Sequence, residues 1–134
     1  MGLDPGSRRC GVAVSDTRRT MAFPRPALAV DEGLVGSLAD LIAEEDVTTV
    51  VIGHPLALSG RATSSTEVAG AFADKLRARV ASLEIVRWDE RLTTHEATRA
   101  LREAGHRGTA QRGRVDSAAA VILLQNFLDA WRRD

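Results

Sequence analysis

Met1-Gly2-Leu3-Asp4-Pro5-Gly6-Ser7-Arg8-Arg9-Cys10-Gly11-Val12-Ala13-Val14-Ser15 reads as a short strand, a Gly/Ser/Arg turn over Pro5 to Arg9, and a second strand over Gly11 to Ser15. Two strands so close in sequence make a hairpin, so the sheet starts antiparallel. Thr20 to Val30 adds a third extended segment. Pro24 and Pro26 lack the N–H that a ladder needs, which sends this segment to a sheet edge. From Gly33 the period changes: Leu34, Leu38, Leu41 and Ile42 recur at helical spacing.

Val47 to Gly53 is a β-branched run suited to a strand buried on both faces, as in parallel pairing. A Pro/Gly-bearing loop over His54 to Ala62 follows. Ser64-Ser65-Thr66-Glu67 matches a capping box, and Val68, Phe72, Leu76 and Val80 continue one helical face. Leu83 to Trp88 predicts another short strand. A second capping box, Thr93-Thr94-His95-Glu96, opens a helix with Ala97, Ala100, Leu101 and Ala104 inward and Gly105 as terminator. Gly105 to Gly113 is expected to be a mobile polar loop. The last helix, from about Val115, is expected to bury Ala118, Ala119, Ile122, Phe127 and Trp131. Three strands, helix, strand, helix, strand, helix, helix is an antiparallel meander running into βα units: an α/β fold with a mixed five-stranded sheet flanked by helices.

Length and composition narrow the function classes. The 134 residues suggest one domain, 1–134, and 44% hydrophobic content supplies a core. Lys plus Arg and Asp plus Glu number 18 each, which excludes a uniformly basic nucleic-acid coat. Five aromatics, Phe23, Phe72, Phe127, Trp88 and Trp131, argue against single-strand binding by base stacking. Cys10 is the only cysteine, which excludes an intramolecular disulfide and a Cys-based zinc site and fits a reducing, cytoplasmic address. No apolar stretch approaches membrane-spanning length, so no membrane partner is expected.

Asp4 ends an apolar strand, where a carboxylate is costly to bury without a compensating cation. Asp89-Glu90 follows the strand ending at Trp88, at the end where open α/β sheets put ligands. Asp116 lies where the first turn of the final helix is expected and the helix dipole favours an ionised carboxylate. Each has an ordinary reading too: Asp4 as a turn residue, Asp89 or Glu90 as a solvated charge beside Arg91, Asp116 as a helix-start acid.

Four blocks occur in order: Asp4 to Asp16 (DPGSRRCGVAVSD), Val51 to Leu56 (VIGHPL), Asp89 to Thr94 (DERLTT) and Val115 to Ala120 (VDSAAA). Together they resemble the YqgF family, Holliday-junction-resolvase-like nucleases linked to maturation of 16S ribosomal RNA. The resemblance covers essentially the whole chain. It implies a ribonuclease-H-like fold and metal-dependent phosphodiester cleavage, with acidic residues matching Asp4, Glu90 and Asp116. Two departures are visible. His54 stands where the family commonly has Leu in Gly-Leu-Pro; it is either a neutral loop histidine or a substrate contact. Only three residues precede Asp4, fewer than relatives usually have, and a truncated start would leave that strand frayed.

A carboxylate set without Cys points to Mg2+ or Mn2+ rather than zinc. On this reading Asp4 anchors both ions, Glu90 and Asp116 complete one each, and Asp89 orients water or pairs with Arg91. Arg8, Arg9, Arg18, Arg19 and Arg25 face Asp16 alone, and Arg99, Arg102, Arg107, Arg112 and Arg114 face Glu103 alone. Arg8, Arg9, Arg91, Arg107, Arg112 and Arg114 are the expected contacts to nucleic acid, precursor rRNA or branched DNA, by a monomer or homodimer. Asp31 to Asp46 holds six acids and no base, so charge is segregated along the chain. The Asp-x-Gly-Ser turn also resembles the phosphate turn of actin-like kinases and chaperone ATPases, but those clamp nucleotide between two such domains. Ser117, His95 and the acids form no nucleophile elbow. A non-catalytic structured-RNA or ribosome-assembly binder is the remaining alternative.

Overall fold

The computed structural model describes residues 1–6, 8–54, 64–89 and 117–133, with the backbone alone at 54, 64–69, 89, 132 and 133. Its elements are β1 (Gly2–Pro5), β2 (Arg9–Ser15), β3 (Ala22–Ala29), α1 (Leu34–Glu44), β4 (Thr49–His54), α2 (Ser64–Arg79), β5 (Glu84–Asp89) and α3 (Ala118–Arg133). The helix expected over 93–104 and the loop over 105–113 lie outside the described residues.

The strands form one sheet in the order β3-β2-β1-β4-β5. β1 and β3 pair antiparallel with β2, whereas β4 pairs parallel with both β1 and β5. The mixed sheet follows from local chemistry. Gly6 closes the first turn, its N–H on the Arg9 carbonyl at 2.9 Å, where an added Cβ would lie 2.8 Å from that same oxygen. β3 takes the edge that its two prolines require. Val50, Val51 and Ile52 of β4 are fully buried, as their β-branched run predicts for a strand covered on both sides.

Alternation along the strands divides the core in two. Leu3, Cys10, Val12, Val14, Val50 and Ile52 pack under Leu34, Leu38 and Ile42 of α1 and Ala73 and Leu76 of α2. Ala13 and Val51 pack on the other face under Ala120, Leu123, Leu124 and Leu128 of α3. Gly2 lets α3 approach β1 closely: a Cβ there would meet Leu124 Cβ at 2.8 Å and the Ala120 carbonyl at 3.0 Å.

The first strand is not frayed. Met1 is buried, its carbonyl accepts from Val51 N at 2.8 Å, and its ammonium donates to the Thr49 carbonyl at 3.0 Å. The last helix corrects the sequence reading. Ala118 and Ile122 are buried as expected, together with Ala120, Leu123, Leu124 and Leu128, whereas Ala119 and Phe127 are half-buried and Trp131 is 47% exposed. Residues 118–124 are apolar all round, so the pattern has no unique phase. No described helix is long and apolar enough to cross a membrane.

Candidate functional site

Among the predicted acidic site residues, Asp4 is the one whose side chain is described. It sits near the C-terminal end of β1, half-buried, opposite Gly11 of β2. On the other side Leu3 registers with Ile52, so Gly53 follows at the level of Asp4. Both lateral neighbours are therefore glycines, which have no side chain to lay over the carboxylate. Alternation puts Asp4 in the series of Gly2, on the α3 face. Among the described residues no cation pairs with it, and no three His, Cys, Asp or Glu residues form a metal-binding group.

β1, β4 and β5 run parallel, so Asp4, His54 and Asp89 belong to the same end of the sheet, and position 54 registers with position 89. This pairing brings an acidic position beside His54 from 35 residues on, a proximity that local sequence spacing does not show. Val86 and Trp88 of β5 pack on the α3 face, where the Trp88 ring meets Phe127 edge-on at 5.6 Å. The Trp88 Nε1 is buried with no acceptor among the described residues. Glu90 and Asp116 lie outside those residues, as do Arg91, Arg107, Arg112 and Arg114.

Behind Asp4, Cys10 faces α1 and α2. Burial pushes its thiol up to about 12, with the Asp4 charge adding to the rise. It stays a neutral thiol at physiological pH.

Ser117 is the feature that sequence reading missed. Its hydroxyl accepts from Val12 N at 3.0 Å and donates to the Arg25 carbonyl at 2.6 Å, and the residue is fully buried. These partners are 105 and 92 positions away, so no local pattern announces them. The bond sits at a bulge: Cys10 registers with Leu28 but Val12 with Arg25, so Gly11 faces two residues of β3. The Ser117 carbonyl accepts from Val121 N at 3.0 Å, which makes Ser117 the residue that starts α3.

The five early arginines do not act as one cluster. Arg8 and Arg9 are exposed in the turn beside Asp4, with the Arg8 carbonyl accepting from Val30 N at 2.9 Å. Arg25 pairs with Glu45 at 3.0 Å. Arg19 lies at the far end of the sheet, donating to Thr48 Oγ1 at 3.0 Å and resting 5.3 Å from the Trp131 ring centroid. A cavity of about 410 Å³ opens at that far end, lined by Met1, Ser15, Asp16, Arg19 and Thr49 over a floor that includes Phe127 and Leu128. It is remote from Asp4, and two of its three acids are occupied: Asp16 accepts from Thr20 and Met21, and Glu45 holds Arg25.

Residues 1–130 match the family described as "RuvX: Holliday junction resolvase". A Salinibacter ruber protein named "Putative pre-16S rRNA nuclease" is 40% identical over 96% of this chain and 91% of its own length. A Mycobacterium ulcerans protein of the same name is 42% identical over 98% of this chain and 79% of its own length. Among solved structures, Thermus thermophilus RuvC in complex with a Holliday junction substrate aligns with a TM-score of 0.61 at 12% identity, covering 98% of this chain and 94% of that one. A fowlpox virus resolvase, solved with Holliday junction DNA, aligns at 0.58 and 7% identity over 97% and 96%. At such identities the likeness concerns the fold, which is ribonuclease-H-like.

Proposed function

The chain belongs to the RuvX (YqgF) family, and from that membership we propose that it is a divalent-metal-dependent nuclease acting in 5′-end processing of precursor 16S rRNA, with branched DNA such as a Holliday junction as a second substrate class. One observation supports the reading most: a half-buried carboxylate, Asp4, without a cationic partner among the described residues, at the shared C-terminal end of three parallel strands and on the face where α3 begins. Such a carboxylate is stabilised by a bound cation.

The donor chemistry fits Mg2+ or Mn2+. Cys10, the only cysteine, belongs to the other face and is held neutral, and the predicted acids offer oxygen ligands. Asp4, Glu90 and Asp116 would hold the ions. Asp89, next to Glu90 in the chain, would take an orienting role. Such ions, when bound, would supply activation of an attacking water and charge stabilisation at the leaving oxygen. Arg8 and Arg9, with Arg91, Arg107, Arg112 and Arg114, would hold phosphates and fix the register of the strand without reading bases.

The test is a cleavage assay with Mg2+ or Mn2+ on precursor 16S rRNA, single-stranded RNA and four-way DNA junctions, using wild type, Asp4→Asn, Glu90→Gln and Asp116→Asn. Metal-dependent cleavage abolished in all three variants is expected. Nucleic-acid binding without any cleavage in the wild type would replace the proposal with a binding role. Solution mass on the junction separates a monomer from the homodimer that paired incisions need.

A further inference from the structure

Ser117 does more than begin a helix. Val12 and Arg25 stand in register across β2 and β3, and the Ser117 hydroxyl is inserted between the N–H of one and the C=O of the other. The bulge opens the ladder at this point, and the hydroxyl satisfies both backbone groups at once. It is also the only fully buried polar or charged residue among the described ones. One strand position from Val12 is Gly11, the direct partner of Asp4. The start of α3 is thus locked to the sheet one strand position from the level of Asp4, and Asp116 is the residue covalently attached to that lock.

We propose that Ser117 is a positioning residue for the metal centre: by bolting the α3 start to the β2–β3 bulge, it fixes where Asp116 delivers its carboxylate relative to Asp4. This rests on the reading of Asp4 and Asp116 as metal ligands. The lock is suited to the task because it acts on backbone at both ends. A rotation of α3 or a slip along β2 breaks two short hydrogen bonds in a dry environment, where unsatisfied groups are costly. Apolar contacts carry no such directional restraint, and the other two-ended tie of α3, Gln125 to Ala22 N and the Thr20 carbonyl, lies further along the helix.

The test is the Mn2+ dissociation constant, read from free Mn2+ by electron paramagnetic resonance, for wild type, Ser117→Ala, Ser117→Thr, Asp116→Asn and Leu128→Ala. Leu128→Ala is the stability control, since it removes buried surface at the other end of α3. Ser117→Ala is expected to weaken Mn2+ binding by about tenfold or more, the size seen when groups supporting metal ligands are removed. Ser117→Thr, which keeps the hydroxyl, is expected to recover part of that loss, and Leu128→Ala to leave affinity within about twofold of wild type. Equal weakening in Ser117→Ala and Leu128→Ala reduces Ser117 to a stability residue and overturns the proposal. Wild-type affinity in Ser117→Ala, with loss in Asp116→Asn, also overturns it while leaving the metal site intact. Wild-type affinity in Asp116→Asn removes the ligand reading itself. If Ser117→Ala does not fold, Ser117→Cys, which keeps the volume with a weaker hydrogen-bonding group, decides by the same comparison.

Discussion

Asp4 and Asp16 are two acids on the first hairpin and its exit, and their surroundings give them opposite roles. Asp4 is flanked by glycines and has no cation among the described residues, so its charge is available to a ligand. Mg2+ or Mn2+ is therefore expected to raise the melting temperature of the wild type, and Asp4→Asn to remove most of that rise in a thermal-shift titration; an equal rise in the variant would overturn the assignment. Asp16 is saturated instead. The Thr20 hydroxyl, with the Met21 and Thr20 amides, lowers its carboxyl to about 2. A carboxyl lowered on folding adds stability that is complete above its ordinary value of 3.8 and is lost as pH falls through about 2. Asp16→Asn should flatten the pH dependence of urea unfolding in that window and leave it unchanged at neutral pH. An unaltered acid limb would show that the Asp16–Thr20 contact does not restrain the β2–β3 connection.

At the scale of elements, the decisive contact is the one between β1 and α3. Gly2 brings α3 down onto the sheet, and any larger residue meets Leu124 and the Ala120 carbonyl. Gly2→Ala is expected to cost about 1–3 kcal/mol in chemical denaturation, the range for overpacking a tight contact. It should also weaken Mn2+ binding by displacing the helix that leads back to Asp116; destabilisation without any change in Mn2+ affinity would uncouple the packing from the site. The elements themselves were largely legible in sequence. Two prolines put β3 at the edge, and the β-branched run put β4 inside, because both signals act through backbone hydrogen bonding and burial within one segment. The phase of α3 was not legible, since its first two turns, residues 118–124, are apolar all round and have no preferred face until β1 and β4 supply one. Ser117 was illegible for a related reason: its value depends on a bulge between strands remote in sequence.

For the whole molecule, equal numbers of acids and bases conceal where the charges lie. The acidic stretch Asp31 to Asp46 includes α1, which covers the face opposite α3, while Asp4 belongs to the α3 face and Arg8 and Arg9 flank its end of the sheet. Sequence proximity alone grouped Arg25 with Arg8, but the fold separates them. Arg25 is held by Glu45 at the end of α1, whereas Arg8 is exposed beside the Asp4 strand. Charge that already has a partner displaces few counterions from a nucleic acid; charge that is solvated displaces about one for each phosphate it contacts. Binding of the rRNA substrate, followed by fluorescence anisotropy across a salt series, should therefore distinguish the two arginines. Arg8→Ala is expected to reduce the slope of log K against log salt by about one, and Arg25→Ala to leave that slope unchanged while costing about 0–1 kcal/mol of stability from the exposed pair. Equal slopes for Arg8→Ala and wild type would place the phosphate path away from the first turn, and a reduced slope for Arg25→Ala would route it across the β3 edge instead.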